Sequence, residues 1–384
     1  MLCGRLWWAA TAEQWRFQFY SSLFLASVGL GMYIYFVPLF AQKFGATFLQ
    51  LGYIGTASAL TYAVAPAIVG HYADKFSRIW LYALALLLNA VSTVALGLSR
   101  SVSDIIWLRA LGGVGFAFLW PTAEVLVVEL VPAEKRLKEM GTYSVAWGSG
   151  FLIGPAIGGV ALRALGFTNL FLVSFVLILV AFVQTVLGRA PDAKALPKQS
   201  TERNGGIIRR LLPWYVLIAC YAMIFTIVTS IFPGYANSIG ITAELIGILF
   251  AIFGVARVVV FATIQHYLTL GEARALTIVS LVITGSFLMV AVFPSFLAFV
   301  AAIILLGASF AIIFPVSITL ISRKFPPERA GAAIGSYESV YGVGAAIGPV
   351  FAGAVASIST IRESFLVVML FGLLMAAIAE RGGS

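Results

Sequence analysis

The chain contains two copies of one apolar unit. The segment that starts at Gly141 (GTYSVAWGSGFLIGPAIGGVA) returns from Gly335 (GSYESVYGVGAAIGPVFAGAV), an offset of 194 residues in a chain of 384. Near the start of each half the offset is 195, which pairs Pro38 with Pro233. A repeat of this length in an apolar chain predicts a pseudosymmetric membrane protein whose working site lies between the repeats.

The composition requires lipid around most of the chain. Residues of the hydrophobic class make up 61% and charged residues only 10%, whereas a soluble domain carries about 25% charged residues. A membrane-spanning helix needs about 20 mostly apolar residues. The candidate spans lie near 17–40, 49–70, 79–98, 104–128, 141–162, 167–188, 214–236, 245–267, 275–293, 296–321, 331–355 and 363–379. These lengths predict an all-α protein with twelve transmembrane helices.

The polar stretch between the sixth and seventh spans divides the chain into two halves. We predict a six-helix bundle over 1–188, a linker over 189–212 and a second six-helix bundle over 213–384. Most lysines and arginines fall in alternate loops, on the side that also holds the linker and both termini. The positive-inside rule therefore predicts a multi-pass protein of the cell membrane with both termini cytoplasmic. Because the charges are scattered over loops, no nucleic-acid partner is expected.

The loop after the second span carries a recognisable motif. It resembles the G-x-x-x-D-R/K-x-G-R-K motif of the major facilitator superfamily and departs from it at Ser77, where the family usually has glycine. The resemblance implies that the loop acid bonds the positive end of the eleventh helix. It also implies that the basic residue pairs with Glu129 at the end of the fourth span. An ordinary positive-inside loop is the alternative. The matching residues are Gly70, Asp74, Lys75 and Arg78.

The fifth span is similar to the antiporter motif of the same superfamily, G-x8-G-x3-G-P-x2-G-G. Its glycines at intervals of four form a smooth stripe against which another helix can lie, and its proline can bend the span. The resemblance implies that this helix packs against the eighth span at the interface between the bundles, and it favours proton-linked antiporters. One departure is the first span, where no acid lies between Phe17 and Gln42. The fixed positions are Gly141, Gly150, Gly154, Pro155, Gly158 and Gly159.

Arg109 lies inside the fourth span, in a sequence similar to the R-x-x-x-G element of the superfamily. A charge within a span costs several kcal/mol, roughly, unless it is paired or faces a wet cavity. We therefore interpret Arg109 as a substrate-binding or proton-coupling residue. The alternative is a buried side chain that hydrogen-bonds one helix to another.

Three further charges fall inside spans, and their positions allow them to meet in the cytoplasmic half of a central cavity. They are Glu124, Arg257 and Glu338. Glu338 replaces Ser144 of the other repeat, so a symmetric packing role does not explain it. Our hypothesis is that Glu338 is the proton site with Arg257 as its modulator, and Glu124 is the second candidate. A static ion pair between Glu338 and Arg257 is the alternative.

The remaining chemistry is sparse. Tyr143, Tyr337 and Tyr341 are candidate cavity aromatics, although packing is the favoured explanation for any single one. No ligand set has zinc spacing, and neither a phosphate-binding loop nor a nucleophile elbow occurs. We therefore expect no metal, no cofactor and no enzymatic activity.

These features together predict a monomeric secondary transporter that works by alternating access. The favoured function is proton-coupled export of a small amphiphilic organic compound. The alternative is an organic-anion or other metabolite transporter in which Arg109 and Arg257 bind a carboxylate. A membrane receptor or scaffold would have no use for charges buried inside its spans.

Overall fold

Long apolar helices make up almost all of the described chain in the computed structural model. The structure describes residues 2–73, 77–130, 136–188, 205–268, 271–324 and 327–382. Around several helix ends it describes the backbone alone. The helices are α1 (Leu2–Ile34), α2 (Val37–Gln42), α3 (Phe48–Ala73), α4 (Arg78–Gly97), α5 (Val102–Leu130), α6 (Arg136–Leu187), α7 (Gly205–Ser230), α8 (Phe232–Ser238), α9 (Ala243–Leu268), α10 (Glu272–Val292), α11 (Phe296–Lys324), α12 (Pro327–Ile358) and α13 (Ile361–Gly382).

The helices give twelve passes across the described residues. Ten segments are long and apolar enough to cross a membrane by length and composition. One of them, Glu139–Leu187, covers 49 residues and is divided at Gly166, whose φ of 77° breaks α6 into two passes. The 26-residue α3 supplies the remaining pass. The predicted all-helical fold with twelve spans is thereby confirmed.

The repeat is visible where the first and seventh passes end. Each pass breaks into a short helix with a proline in its first turn, Pro38 in α2 and Pro233 in α8. Each short helix is then followed by a glycine of positive φ, 76° at Gly45 and 87° at Gly240. This left-handed conformation is costly for a residue with a Cβ atom and free for glycine. The same local chemistry therefore ends both passes.

The described residues divide into two compact units. The first unit is formed within 1–34 and 61–198, and the second within 35–60 and 199–384. In the first unit α6 packs against α1 and α4, and α4 packs against α5. In the second unit α12 packs against α7, α10 packs against α13, and α11 packs against α9 and α10. The domain boundaries at 188 and 213 stay a prediction.

Candidate functional site

The glycine stripe of α6 is a close-packing surface for α1 in the first unit. A Cβ atom at Gly150 would lie 2.5 Å from the Ser27 Cβ, and one at Gly154 would lie 2.9 Å from the Gly31 Cα. A Cβ atom at Gly158 would overlap the carbonyl oxygen of Met32. The resemblance implied the eighth span as the partner of this stripe, whereas the described contacts place α1 against it. Pro155 and Gly159, the other motif residues of the stripe, are buried.

The second unit repeats this arrangement between α12 and α7. A Cβ atom at Gly348 would lie 2.6 Å from the Met223 Cα. One at Gly344 would overlap the backbone of Ala219. Gly344 and Gly348 correspond to Gly150 and Gly154 at the repeat offset of 194 residues. Each half therefore holds a pair of helices in contact through glycine.

Arg109 lies in the interior of the first unit. It is 8% exposed, and its guanidinium interacts electrostatically with the hydroxyl of Tyr33 on α1, which is 0% exposed. Its Nη1 atom has no hydrogen-bond partner in the described part of the chain. The structure thus places a buried cation beside a buried hydroxyl, an arrangement compatible with both interpretations of Arg109.

Glu124 belongs to a different part of the first unit. It follows Arg109 by fifteen residues on α5, which corresponds to about 22 Å along the helix. Its side chain is exposed, and its Oε1 atom accepts a hydrogen bond of 3.4 Å from the hydroxyl of Tyr143. Tyr143 itself is only 3% exposed. Arg109 and Glu124 therefore do not form one site.

An aromatic cluster covers α5 and α6 next to Glu124. We call Phe116, Trp120, Trp147 and Phe151 the first aromatic cluster. The Trp120 ring centroid lies 6.2 Å from Phe116, 5.8 Å from Trp147 and 5.9 Å from Phe151. All four rings are partly exposed. Trp120 precedes Glu124 by one helical turn, so an apolar, π-rich surface and a carboxylate lie side by side.

A second aromatic cluster occupies the related place in the second unit. It consists of Tyr221 and Phe225 on α7, Phe253 on α9, Phe310 on α11 and Tyr341 on α12. Phe310 lies 5.4 to 5.8 Å from the rings of Tyr221, Phe225 and Phe253. Tyr341 lies 6.0 Å from Tyr221. Phe310 and Tyr341 correspond to Phe116 and Trp147 by the repeat offset. Sequence analysis named only Tyr341 of this cluster as a candidate, although the repeated FAFLWP and FAIIFP segments carry the signal for Phe310.

Arg257 projects into the second aromatic cluster. Its Cζ atom lies 5.7 Å from the ring centroids of Phe225 and Phe253 and 5.8 Å from that of Phe261. These distances are those of cation–π contacts. Its Nε atom is enclosed and has no hydrogen-bond partner in the described part of the chain. The three phenylalanine rings around this charged group offer it no hydrogen-bond acceptor.

Several predicted residues lie outside what the structure describes. Asp74 and Lys75 are not described, and at Gly70, Glu129 and Glu338 only the helical backbone is described. Tyr337 is 0% exposed and packed in the protein. Arg78 begins α4. The meeting of Glu124, Arg257 and Glu338 in one cavity therefore stays a prediction. Within the described residues, no group of three or more His, Cys, Asp or Glu side chains could hold a metal ion.

An ion pair that sequence analysis missed joins α1 to the start of the fifth pass. Arg16 on α1 forms a salt bridge with Glu139 on α6, and the Glu139 side chain is 3% exposed. The hydroxyl of Tyr20 donates a hydrogen bond of 2.6 Å to Glu139 Oε2. Glu139 follows a basic loop in the sequence, where an acid is normally solvated. Its burial depends on two residues of a distant helix.

A pair of amides in the second unit was also missed. The Nε2 atom of Gln42 donates to the carbonyl of Gly234 at 2.9 Å, and the Nδ2 atom of Asn237 donates to Gln42 Oε1 at 2.8 Å. Gln42 and Asn237 are repeat-related at the offset of 195. Further along the same segment, the Thr56 hydroxyl donates to the Ala346 carbonyl at 2.6 Å. These bonds fasten residues 35–60 to α8 and α12.

Replacing Gln42 by alanine removes both amide hydrogen bonds and is expected to destabilise the protein by about 1–3 kcal/mol. The measurement is the midpoint of thermal unfolding of the purified protein. Asn237→Ala is the informative second variant, because it removes the hydrogen bond to Gln42 Oε1 and leaves the bond from Gln42 to the Gly234 carbonyl. It should fall between the wild type and Gln42→Ala. Equal midpoints for all three proteins would contradict the assignment of these bonds to stability.

The fold and the buried charges define a membrane carrier of two related halves, and comparison of the chain with known proteins agrees. The family model of the Major Facilitator Superfamily matches residues 19–263 and, again, 214–381. The chain therefore belongs to the Major Facilitator Superfamily, a family of transporters and not of enzymes.

Two relatives of the chain bear the name multidrug resistance protein. It is 24% identical to Multidrug resistance protein 1 of Bacillus subtilis (strain 168) over 344 residues, which is 87% of each chain. It is 33% identical to Multidrug resistance protein 2 of the same organism over 139 residues, covering 36% of this chain and 35% of the relative. Among solved structures, nucleoside transporter NupG superposes with a TM-score of 0.81 at 13% identity, over 96% of this chain and 98% of that one. The last likeness concerns the fold alone.

Proposed function

We propose that this carrier exports a small amphiphilic organic compound in exchange for protons, by alternating access. The observation that carries the proposal is that each unit presents an aromatic cluster with one charged side chain beside it, Glu124 in the first and Arg257 in the second. Clustered rings suit flat apolar molecules, and a charge beside them suits a polar end. Similarity to Multidrug resistance protein 1 over 87% of the chain supports the same function.

Proton coupling needs a carboxyl group that binds a proton in one state and releases it in another. We assign this role to Glu338, with Arg257 as its modulator, because Glu338 breaks the symmetry of the repeat. Glu124 is the second candidate, since it is exposed and held by the Tyr143 hydroxyl.

The remaining assignments complete the model of the working protein. In this proposal the carrier acts as a monomer in the cell membrane. Both of its termini are cytoplasmic, as the loop charges predict. Residues 1–188 and 213–384 are the moving halves, joined by 189–212. Gating is assigned to the loop motif with Glu129 and to the glycine stripe. The gating residues are Gly70, Asp74, Lys75, Arg78, Glu129, Gly150, Gly154, Pro155, Gly158 and Gly159.

A second candidate function is transport of an organic anion. The observation in its favour is that the Arg257 guanidinium meets no carboxylate in the described residues. In this case Arg257, with Arg109 as a further cation, would bind the carboxylate of the substrate, and symport or uniport would replace antiport.

Transport by purified protein in liposomes tests the proposal. We expect the wild type to accumulate the amphiphilic dye ethidium when the lumen is acidic, and not when the gradient is abolished. Glu338→Gln should lower this uptake to the rate without a gradient, because glutamine cannot carry the proton, while exchange of labelled for unlabelled dye continues.

Glu380→Gln is the matched control, since Glu380 is an exposed acid at the end of α13, and it should transport as the wild type does. Uptake by Glu338→Gln at the wild-type rate would reject Glu338 as the proton site. If Glu124→Gln loses gradient-driven uptake and Glu338→Gln does not, Glu124 is the proton site. Equal dye uptake by the wild type with the proton gradient in either direction would reject proton coupling.

A further inference from the structure

Arg257 is a cation inside a span, and the described residues bring no carboxylate to it. In the described part of the chain no carboxylate pairs with it, and its Nε atom is enclosed without a hydrogen-bond partner. The ionisable groups that interact with it electrostatically are the hydroxyls of Tyr35 and Tyr221, which carry no charge. A charge in a membrane span is expensive unless it is paired or faces water. Within the described residues Arg257 thus has no carboxylate partner, and a ligand that supplied one would offset the cost of the charge in the span.

The position of Arg257 on α9 directs it towards the other helices of its unit. Phe253, one turn before it, is 3% exposed, and Val260, three residues after it, is 5% exposed. Residues at these spacings share one helix face. Phe225 on α7 meets the guanidinium from a neighbouring helix. The side chain of Arg257 nevertheless stays partly exposed, so a ligand can reach it.

The groups around the guanidinium indicate which kind of ligand would bind to it. The rings of Phe225, Phe253 and Phe261 contact it through their π faces, and its Nε–H group has no acceptor in the described residues. A planar guanidinium donates two parallel hydrogen bonds best to a planar carboxylate. The surrounding rings suit a flat apolar group attached to that carboxylate. A hydrated inorganic anion would gain nothing from such walls.

We propose that Arg257 and the second aromatic cluster form a binding subsite for the carboxylate of a flat, ring-containing substrate. This inference rests on the proposed transport function and adds to it a preference for amphiphiles that carry an acidic group. Arg257 forms a bidentate salt bridge with the carboxylate. The ring system of the substrate stacks beside Phe225 and Phe253.

Equilibrium binding of a matched pair of probes tests the subsite. The probes are 2-naphthoate and its uncharged isostere 2-naphthamide, titrated calorimetrically into the full-length carrier in lipid nanodiscs. We expect naphthoate to bind the wild type about ten times or more tightly than naphthamide. Arg257→Gln should remove this preference while it leaves naphthamide binding within about twofold. Arg257→Lys should retain part of the preference, because it keeps the charge but loses the planar fork.

Two further variants separate the subsite from general effects. Arg100→Gln removes another arginine, outside the cluster at the start of α5, and should keep the full preference for naphthoate. Phe225→Leu should weaken the binding of both probes, since it removes a ring of the subsite and no charge. Equal affinity of the wild type for both probes, or an undiminished preference in folded Arg257→Gln, would overturn the inference.

The binding test can fail independently of the proposed transport function, because binding is measured without a proton gradient. A preference for naphthoate in a protein that does not transport would support the subsite and reject the carrier mechanism. Gradient-driven transport of ethidium by a protein with equal affinity for the two probes would support the carrier mechanism and reject the subsite.

Discussion

Replacing Gly158 by alanine is expected to destabilise the carrier by about 1–3 kcal/mol or more. The added Cβ atom would overlap the carbonyl oxygen of Met32, and the next nearest atoms are also backbone atoms of Met32, within 2.9 Å. Backbone atoms cannot turn away as a side chain does, so α1 and α6 must separate over several residues. The measurement is the midpoint of thermal unfolding in detergent, together with the yield of monodisperse protein.

Gly141 provides a matched control from the same motif. In the described part of the chain no atom outside its own turn of helix lies within 4 Å of the position where its Cβ atom would stand, and alanine is the better helix former by about 1 kcal/mol. Gly141→Ala should therefore unfold at the wild-type temperature or slightly above it. Equal losses in the two variants would show that the motif acts through helix flexibility and not through contact with α1.

The twelve passes and their pairing into halves could be predicted from the sequence because both depend on local properties. Span length and apolar content are visible in any window of about 20 residues. The breaks after the first and seventh passes are also local, since Pro38 and Gly45 act on the backbone in their own turn and recur as Pro233 and Gly240.

The partners of those elements could not be predicted in the same way. A stripe of small residues shows that some helix comes close but not which one, and the described neighbour of the Gly154 stripe is α1. Arg257 was recognised as an intramembrane charge, but its rings come from α7 as well as α9. Glu139 was passed over altogether, because its burial is determined by Tyr20, which lies 119 residues away in sequence.

Breaking the ion pair between Arg16 and Glu139 is the second change with a large expected effect on stability. The size of the loss depends on which of the two residues is replaced. The Arg16 side chain is 35% exposed and the Glu139 side chain 3% exposed. Without Glu139, Arg16 can turn towards water. Without Arg16, the carboxylate remains enclosed, and of its described contacts the hydrogen bond from Tyr20 is left. An uncompensated buried charge is the costly outcome of breaking such a pair.

We therefore expect Arg16→Gln to destabilise the carrier by about 3–5 kcal/mol and Glu139→Gln by about 1–2 kcal/mol. For a protein of this size, the first loss corresponds to a decrease of roughly 4–6 °C in the unfolding midpoint. The double variant should unfold close to Glu139→Gln alone, since removal of the carboxylate also removes the need for the cation.

A double-mutant cycle measures this coupling directly, as the difference between the double variant and the sum of the single ones. Tyr20→Phe provides an independent check, because it removes one hydrogen bond from Glu139 while Arg16 stays in place, and it should cost about 1 kcal/mol. Additive single losses, or a larger loss in Glu139→Gln than in Arg16→Gln, would show that solvent reaches the carboxylate. The junction between α1 and α6 would then depend on its glycine packing and not on this ion pair.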